Sequence, residues 1–139
     1  MSRGQYPNTR MRRNRMQTFS RRLVAENRLS TDDLIWPLFV IEGENQTEAI
    51  DAMPGVSRHS IDQLLEQAHQ AVELSIPAIA IFPSIDVSLK DLSGSLAQDG
   101  DNLVCRAVRA VKSAYPDLGI VCDVALDPFT DHGHDGVTH

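Results

Sequence analysis

Four aspartates and three histidines crowd the last seventeen residues, DVALDPFTDHGHDGVTH (123–139). Carboxylate oxygens at this density suit a hard cation such as Mg²⁺, while the H-x-H pair of His132 and His134 is a donor set for zinc. Each residue also has a plainer use, since Asp and His in turns commonly act as turn formers and caps. Asp123 stands apart from the others. It lies inside the apolar run GIVCDVAL (119–126), which reads as a buried strand. Alternation sends Ile120, Cys122, Val124 and Leu126 to one face and Val121, Asp123, Ala125 and Asp127 to the other. A carboxylate within a buried strand is costly unless it is paired, bound to a metal or open to a cavity, so Asp123 reads as a functional group. Asp127 is nearer the strand end, and His134 and Asp135 follow in a glycine-flanked loop that can fold back over it.

The elements that must position these residues alternate along the chain. TFSRRLVAENRL (18–29) reads as a short helix with Thr18 as N-cap, and LIWPLFVI (34–41) as a buried strand. GENQTEAIDAMPGVSRHS (43–60) has no sustained periodicity and reads as a long connection. Ser60 then opens a helix with Gln63 in capping-box position, and Ile61, Leu64, Leu65, Ala68, Ala71 and Val72 form its apolar stripe. PAIAIFP (77–83) is a second strand, apolar on both faces, and Ser84 to Asp101 a polar loop above it. NLVCRAVRAVKSAY (102–115) is the next amphipathic helix, and 119–126 the third strand. This order implies parallel βαβ units, either of a doubly wound sheet or of the opening third of an eight-stranded barrel. No G-x-G-x-x-G follows PAIAIFP, which favours the barrel. In both folds the site lies at the C-terminal ends of the strands, where Phe82 and the segment from Asp123 fall.

Composition narrows the functional classes. With 139 residues, 42% of them hydrophobic, the chain is long enough for one α/β core, and its longest apolar run is far short of the ~20 residues of a membrane span. A charged N-terminus does not resemble a signal peptide, so a cytoplasmic location and no membrane partner are expected. Cys105 and Cys122 sit in apolar company and are expected as small buried hydrophobes. The net charge of −6 hides a division, because residues 1–28 hold eight arginines against Glu26, or +7, leaving −13 for the rest. A basic arm with a short helix (1–28) therefore precedes an acidic body (29–139). Such an arm suits nucleic acid or an acidic partner. Its RMRRNR run lacks lysines and interleaved aromatics, however, and the body offers no basic surface to continue a track, so docking on another subunit is preferred to nucleic acid. A small metal-dependent hydrolase using His132, His134 and the aspartates is a further alternative.

DVALDPFTDHGHDG, with PNTRMRRNR, LIWPLFV, MPGVSRHS and IAIFP in the same order along the chain, closely resembles the N-terminal part of the porphobilinogen synthase (5-aminolevulinate dehydratase) family. The resemblance implies the start of a TIM (β/α)8 barrel, truncated after about three strands and preceded by an extended arm that wraps a neighbouring subunit in a homo-octamer. It implies condensation of two 5-aminolevulinate molecules to porphobilinogen, with loss of two waters, in tetrapyrrole synthesis. It also places Asp123 near a substrate amino group, Phe82 in the pocket lining, and Arg10, Arg12, Arg13 and Arg15 in the arm. Zinc-dependent members hold their metal with three cysteines, and Ala125, Asp127 and Asp135 stand at the matching positions. The pattern is similar to the aspartate-rich members, which use magnesium or potassium or need no active-site metal, and zinc is not expected. Asp131 departs from the Ser or Thr more usual in the family. The family's two Schiff-base lysines lie beyond residue 139, so the chain is expected to be a fragment without dehydratase activity of its own.

Overall fold

The computed structural model describes residues 4–136, which fall into two units divided between Ser30 and Thr31. The first carries two short helices, α1 (Arg13–Met16) and α2 (Thr18–Leu23), neither with a buried residue. The guanidinium of Arg21 joins them, donating to the carbonyls of Arg15 (2.9 Å) and Met16 (3.4 Å). Helix α2 ends six residues before the expected Leu29. With no apolar face to bury, it has only local propensity behind it, and isolated helices of this length are marginal. Thr18 is not the N-cap either: Gln17 holds that place, and the Thr18 hydroxyl accepts from Arg21 (3.0 Å).

The second unit is an α/β fold on a mixed five-stranded sheet. Its elements are β1 (Ile35–Val40), β2 (Thr47–Ala49), β3 (Ser57–His59), α3 (Ile61–Glu73), β4 (Ala78–Pro83), α4 (Leu103–Ala114) and β5 (Gly119–Cys122). The strand order is β2-β3-β1-β4-β5, parallel throughout except for the antiparallel pair β2-β3. The sequence reads as three parallel strands with a long connection over 43–60; within that connection the chain instead forms the β2-β3 hairpin. Its three-residue strands are too short to show a period, and β2 is exposed at every position. Cross-strand pairing holds it, including Arg58 Nη1 to Glu48 Oε1 at 3.1 Å.

Helices α3 and α4 cover one face of the sheet. Leu64, Ala68 and Ala71 of α3 and Leu103, Ala107 and Val111 of α4 pack with Leu38 and Val40 of β1 and Ile79 and Ile81 of β4. Val72, expected in the α3 stripe, is 44% exposed at the stripe's margin. The other face is uncovered, and it is apolar along β1, β4 and β5. There Phe39 and Phe82 stand opposite each other with ring centroids 5.7 Å apart, and Ile35 and Val121 are exposed.

Ser60 ties the hairpin to the sheet-covering layer. Its buried hydroxyl accepts from the Gln46 amide (2.9 Å) and donates to Asp62 Oδ1 (2.5 Å), and this bond above all holds the Asp62 carboxyl below the usual carboxylate range. The expected capping box does not form, because Gln63 turns away to Asn45 (3.1 Å). Ser60→Ala would leave the Gln46 amide without its buried acceptor, so a loss of about 1–3 kcal/mol is expected from a urea denaturation midpoint, with the slope unchanged.

Strand β5 is half its expected length. Its last ladder pair is Cys122 with Ile81, and Asp123 lies beyond it, exposed to solvent. The desolvation cost inferred for Asp123 from a 119–126 strand therefore does not arise here. Cys105 is half-buried and Cys122 exposed, both as free thiols, so neither is the fully buried hydrophobe expected.

Candidate active site

Two loops meet beyond the C-terminal ends of β4 and β5: 84–102, leading to α4, and 123–136. They are stitched through the backbone. The Asp131 amide donates to the Asp91 carbonyl (3.1 Å) and the Asp91 amide to the Phe129 carbonyl (3.4 Å), making an isolated parallel bridge between Asp91 and Thr130. Phe129 and Thr130 are buried, Phe129 as part of the core shared by the two helices.

The Asp91 carboxylate shapes the first loop. One oxygen accepts from the amide (2.8 Å) and hydroxyl (2.9 Å) of Ser93 and from the Ser95 amide (3.1 Å), and the other takes the Ser95 hydroxyl. Four donors on one carboxylate, those of Ser95 first, hold it well below the usual carboxylate range. Sequence reasoning passed over this group as polar loop. The spacing of serines two and four residues after an aspartate is the signal for it, since aspartates in turns bond the backbone two residues on.

The second loop folds back on itself as its glycines allow. Asp135 Oδ1 accepts from the amides of Leu126 (2.7 Å) and Asp127 (3.1 Å), which brings Asp135 against the chain beside Asp127. The Thr130 hydroxyl donates to the His134 carbonyl (2.9 Å). His132 is engaged at both ring nitrogens. Nε2 faces the Leu92 carbonyl (3.2 Å) and so donates, leaving Nδ1 to accept from the His134 amide (3.2 Å). In this conformation both ring nitrogens of His132 are taken up by main-chain groups of the two loops rather than turned toward the His134 ring or the aspartates.

The structure brings some of the expected site residues together and not others. Asp123 lines a groove of about 270 Å³ with Asn102 and Cys105 of the α4 start and with Leu126 and Phe129. Phe82 is not part of that groove; it lies half-buried against Phe39 on the uncovered sheet face. Asp127 and Asp135 are both exposed. Among the described residues no three His, Cys, Asp or Glu side chains gather closely enough to hold a metal ion, and one Asp135 oxygen is already engaged by two amides. The donors fit a hard cation in type, but among the described residues they do not gather into a site. In the first unit Arg10, Arg12, Arg13 and Arg15 are exposed, and the Arg10 guanidinium lies 5.8 Å from the centre of the Tyr6 ring.

The family model for delta-aminolevulinic acid dehydratase matches residues 8–139. The chain belongs to this family. The dehydratase of Bradyrhizobium diazoefficiens is 58% identical over 128 residues, covering 92% of this chain and 36% of the relative. That of Chlamydia pneumoniae is 43% identical, covering 92% and 39%. The chain thus spans well under half the length of these dehydratases. Among solved structures it is similar to the delta-aminolevulinic acid dehydratase (porphobilinogen synthase) of Toxoplasma gondii in complex with its reaction product porphobilinogen, with a TM-score of 0.84 and 41% identity over 94% of this chain and 37% of the other. Among the described residues no helix is long and apolar enough to cross a membrane.

Proposed function

We propose that this chain supplies the arm and the first strands of a (β/α)8 barrel in a porphobilinogen synthase, which condenses two molecules of 5-aminolevulinate to porphobilinogen with loss of two waters in tetrapyrrole synthesis. The observation that carries the reading is the family match, which runs from the arm through the aspartate-rich loop. The uncovered apolar face of the sheet supports it, because such a face is what a parallel barrel packs into its interior. In this reading Asp123, just past the end of β5, receives a substrate ammonium in a charge-assisted hydrogen bond. Phe82 walls the pocket from the end of β4. The 139 residues alone carry no dehydratase activity, and the enzyme works in the cytoplasm on 5-aminolevulinate, with neither nucleic acid nor membrane as a partner.

Asp127 and Asp135 present oxygen where zinc-dependent members present sulfur, and Ala125 presents nothing. Where the assembled enzyme uses an ion near them, magnesium or potassium suits these donors and zinc does not. No step is routed through that ion. The full-length protein should keep its activity after zinc-selective chelation, and a loss that only zinc restores would overturn the assignment.

The arm, through Arg10, Arg12, Arg13 and Arg15, docks on an acidic neighbouring subunit of a homo-octamer. Removing residues 1–16 from the full-length protein should shift its sedimentation to smaller species, since an exposed basic extension contributes little to its own unit's core. An unchanged octamer would exclude this role.

A further inference from the structure

We infer that Asp91 is a positioning residue for the Asp123–Asp135 segment, acting through the turn it closes and touching none of that segment's carboxylates. This rests on the proposed function only for its catalytic meaning; the mechanical claim stands on the loop geometry.

Residues 91–95 would otherwise be a glycine-containing polar stretch with little apolar surface to order it. The Asp91 carboxylate supplies the order by taking the amide and hydroxyl of both Ser93 and Ser95. That closure fixes the main chain on either side of it. At one end the Asp91 amide and carbonyl are aligned for the bridge to Phe129 and Asp131, with bonds of 3.4 and 3.1 Å. Next to it the Leu92 carbonyl receives the His132 ring at 3.2 Å. At the other end Gly94 is pressed against the second loop, where a Cβ would stand 3.3 Å from Thr130 Cγ2 and 3.5 Å from Phe129 Cβ.

The second loop is thereby held at Phe129, Thr130, Asp131 and His132, between Asp127 on one side and Asp135 on the other. Its closing bonds, from the Leu126 and Asp127 amides to Asp135, depend on that middle section keeping its place. A carboxylate at 91 thus sets where those at 127 and 135 stand.

The experiment is amide hydrogen exchange on the 139-residue chain, at a concentration where it is monomeric by sedimentation, with no substrate present. In Asp91→Ala the Leu126 and Asp127 amides should exchange at least about tenfold faster, while Ile79 and Ile81 in β4 keep their protection, as expected for local rather than global opening. Asp91→Asn, which keeps an acceptor oxygen, should restore part of the difference. A merely stabilising residue would instead shift all these amides together. Should Asp91→Ala unfold the chain, Ser95→Ala removes one of the four donors and keeps the charge, and it should speed Leu126 and Asp127 alone. Unchanged exchange at Leu126 and Asp127 in the folded variant, or equal acceleration throughout, would overturn the inference. Because no turnover is read, either result is independent of whether the proposed dehydratase function holds.

Discussion

Incubated with 5-aminolevulinate and borohydride, the 139-residue chain should remain at its unmodified mass. Capture of a ketone as a Schiff base needs a neutral amine that attacks the carbonyl and expels water; borohydride then fixes the product as a stable amine. A lysine becomes such a nucleophile when an apolar pocket or a neighbouring cation lowers its pKa. The chain has only Lys90 and Lys112 to offer. Lys112 lies at the last turn of α4, where its ammonium donates to the carbonyls of Pro116 (3.0 Å) and Leu118 (2.7 Å), bonds that hold it against the turn into β5 and away from the strand ends. Lys90 follows the short 3-10 turn Val87–Leu89, outside every strand, and neither lysine lines the groove that holds Asp123. Mass spectrometry decides the matter. A stoichiometric reduced adduct on either lysine, with porphobilinogen formed when borohydride is omitted, would place the chemistry inside this chain and refute the proposal that it is inactive alone.

What was legible in the sequence follows from how each element is stabilised. Helices α3 and α4 bury one stripe each, so their apolar residues recur at helical spacing and their ends fall within a residue of expectation. Strands β1 and β4 are central in the sheet and show as unbroken apolar runs. The hairpin was hidden because its order comes from contacts distant in sequence, such as the Gln46 amide on Ser60 and Thr47 beside His59, and no local pattern records them. The end of β5 was misplaced for a related reason. VCDVAL stays apolar past Cys122, but a strand lasts only as long as its neighbour pairs with it, and Leu126 gives its amide to Asp135 instead. The candidate site shows the same division. Asp123, Asp127 and Asp135 are conspicuous by their density, whereas Asp91, which binds the first loop together, lies forty residues from the segment it touches.

A large loss of stability from a single side chain is expected for Gly94→Val. Gly94 is buried and left-handed, with φ +64°, a conformation that costs an L-residue roughly 1–2 kcal/mol and a β-branched one most. Space is short as well. The new Cβ would stand 3.3 Å from Thr130 Cγ2, 3.5 Å from Phe129 Cβ and 3.7 Å from Leu126 Cδ2, before either γ-methyl is placed. Phe129 and Thr130 are themselves buried, so they can yield only by lifting the second loop from the first, and overpacking of this kind costs about 1–3 kcal/mol. Together the two effects amount to about 2–5 kcal/mol, a large share of the ~5–15 kcal/mol that holds a domain folded. Gly100 provides the control within the same connection, because it has no positive φ and nothing within 4 Å of an added Cβ. Gly100→Ala should therefore shift the urea midpoint little, while Gly94→Val lowers it strongly and Gly94→Ala falls between. Equal midpoints for Gly94→Val and Gly100→Ala would mean that the two loops are not in contact in solution, and with that the placement of Asp127 and Asp135 by the 91–95 turn would fall too.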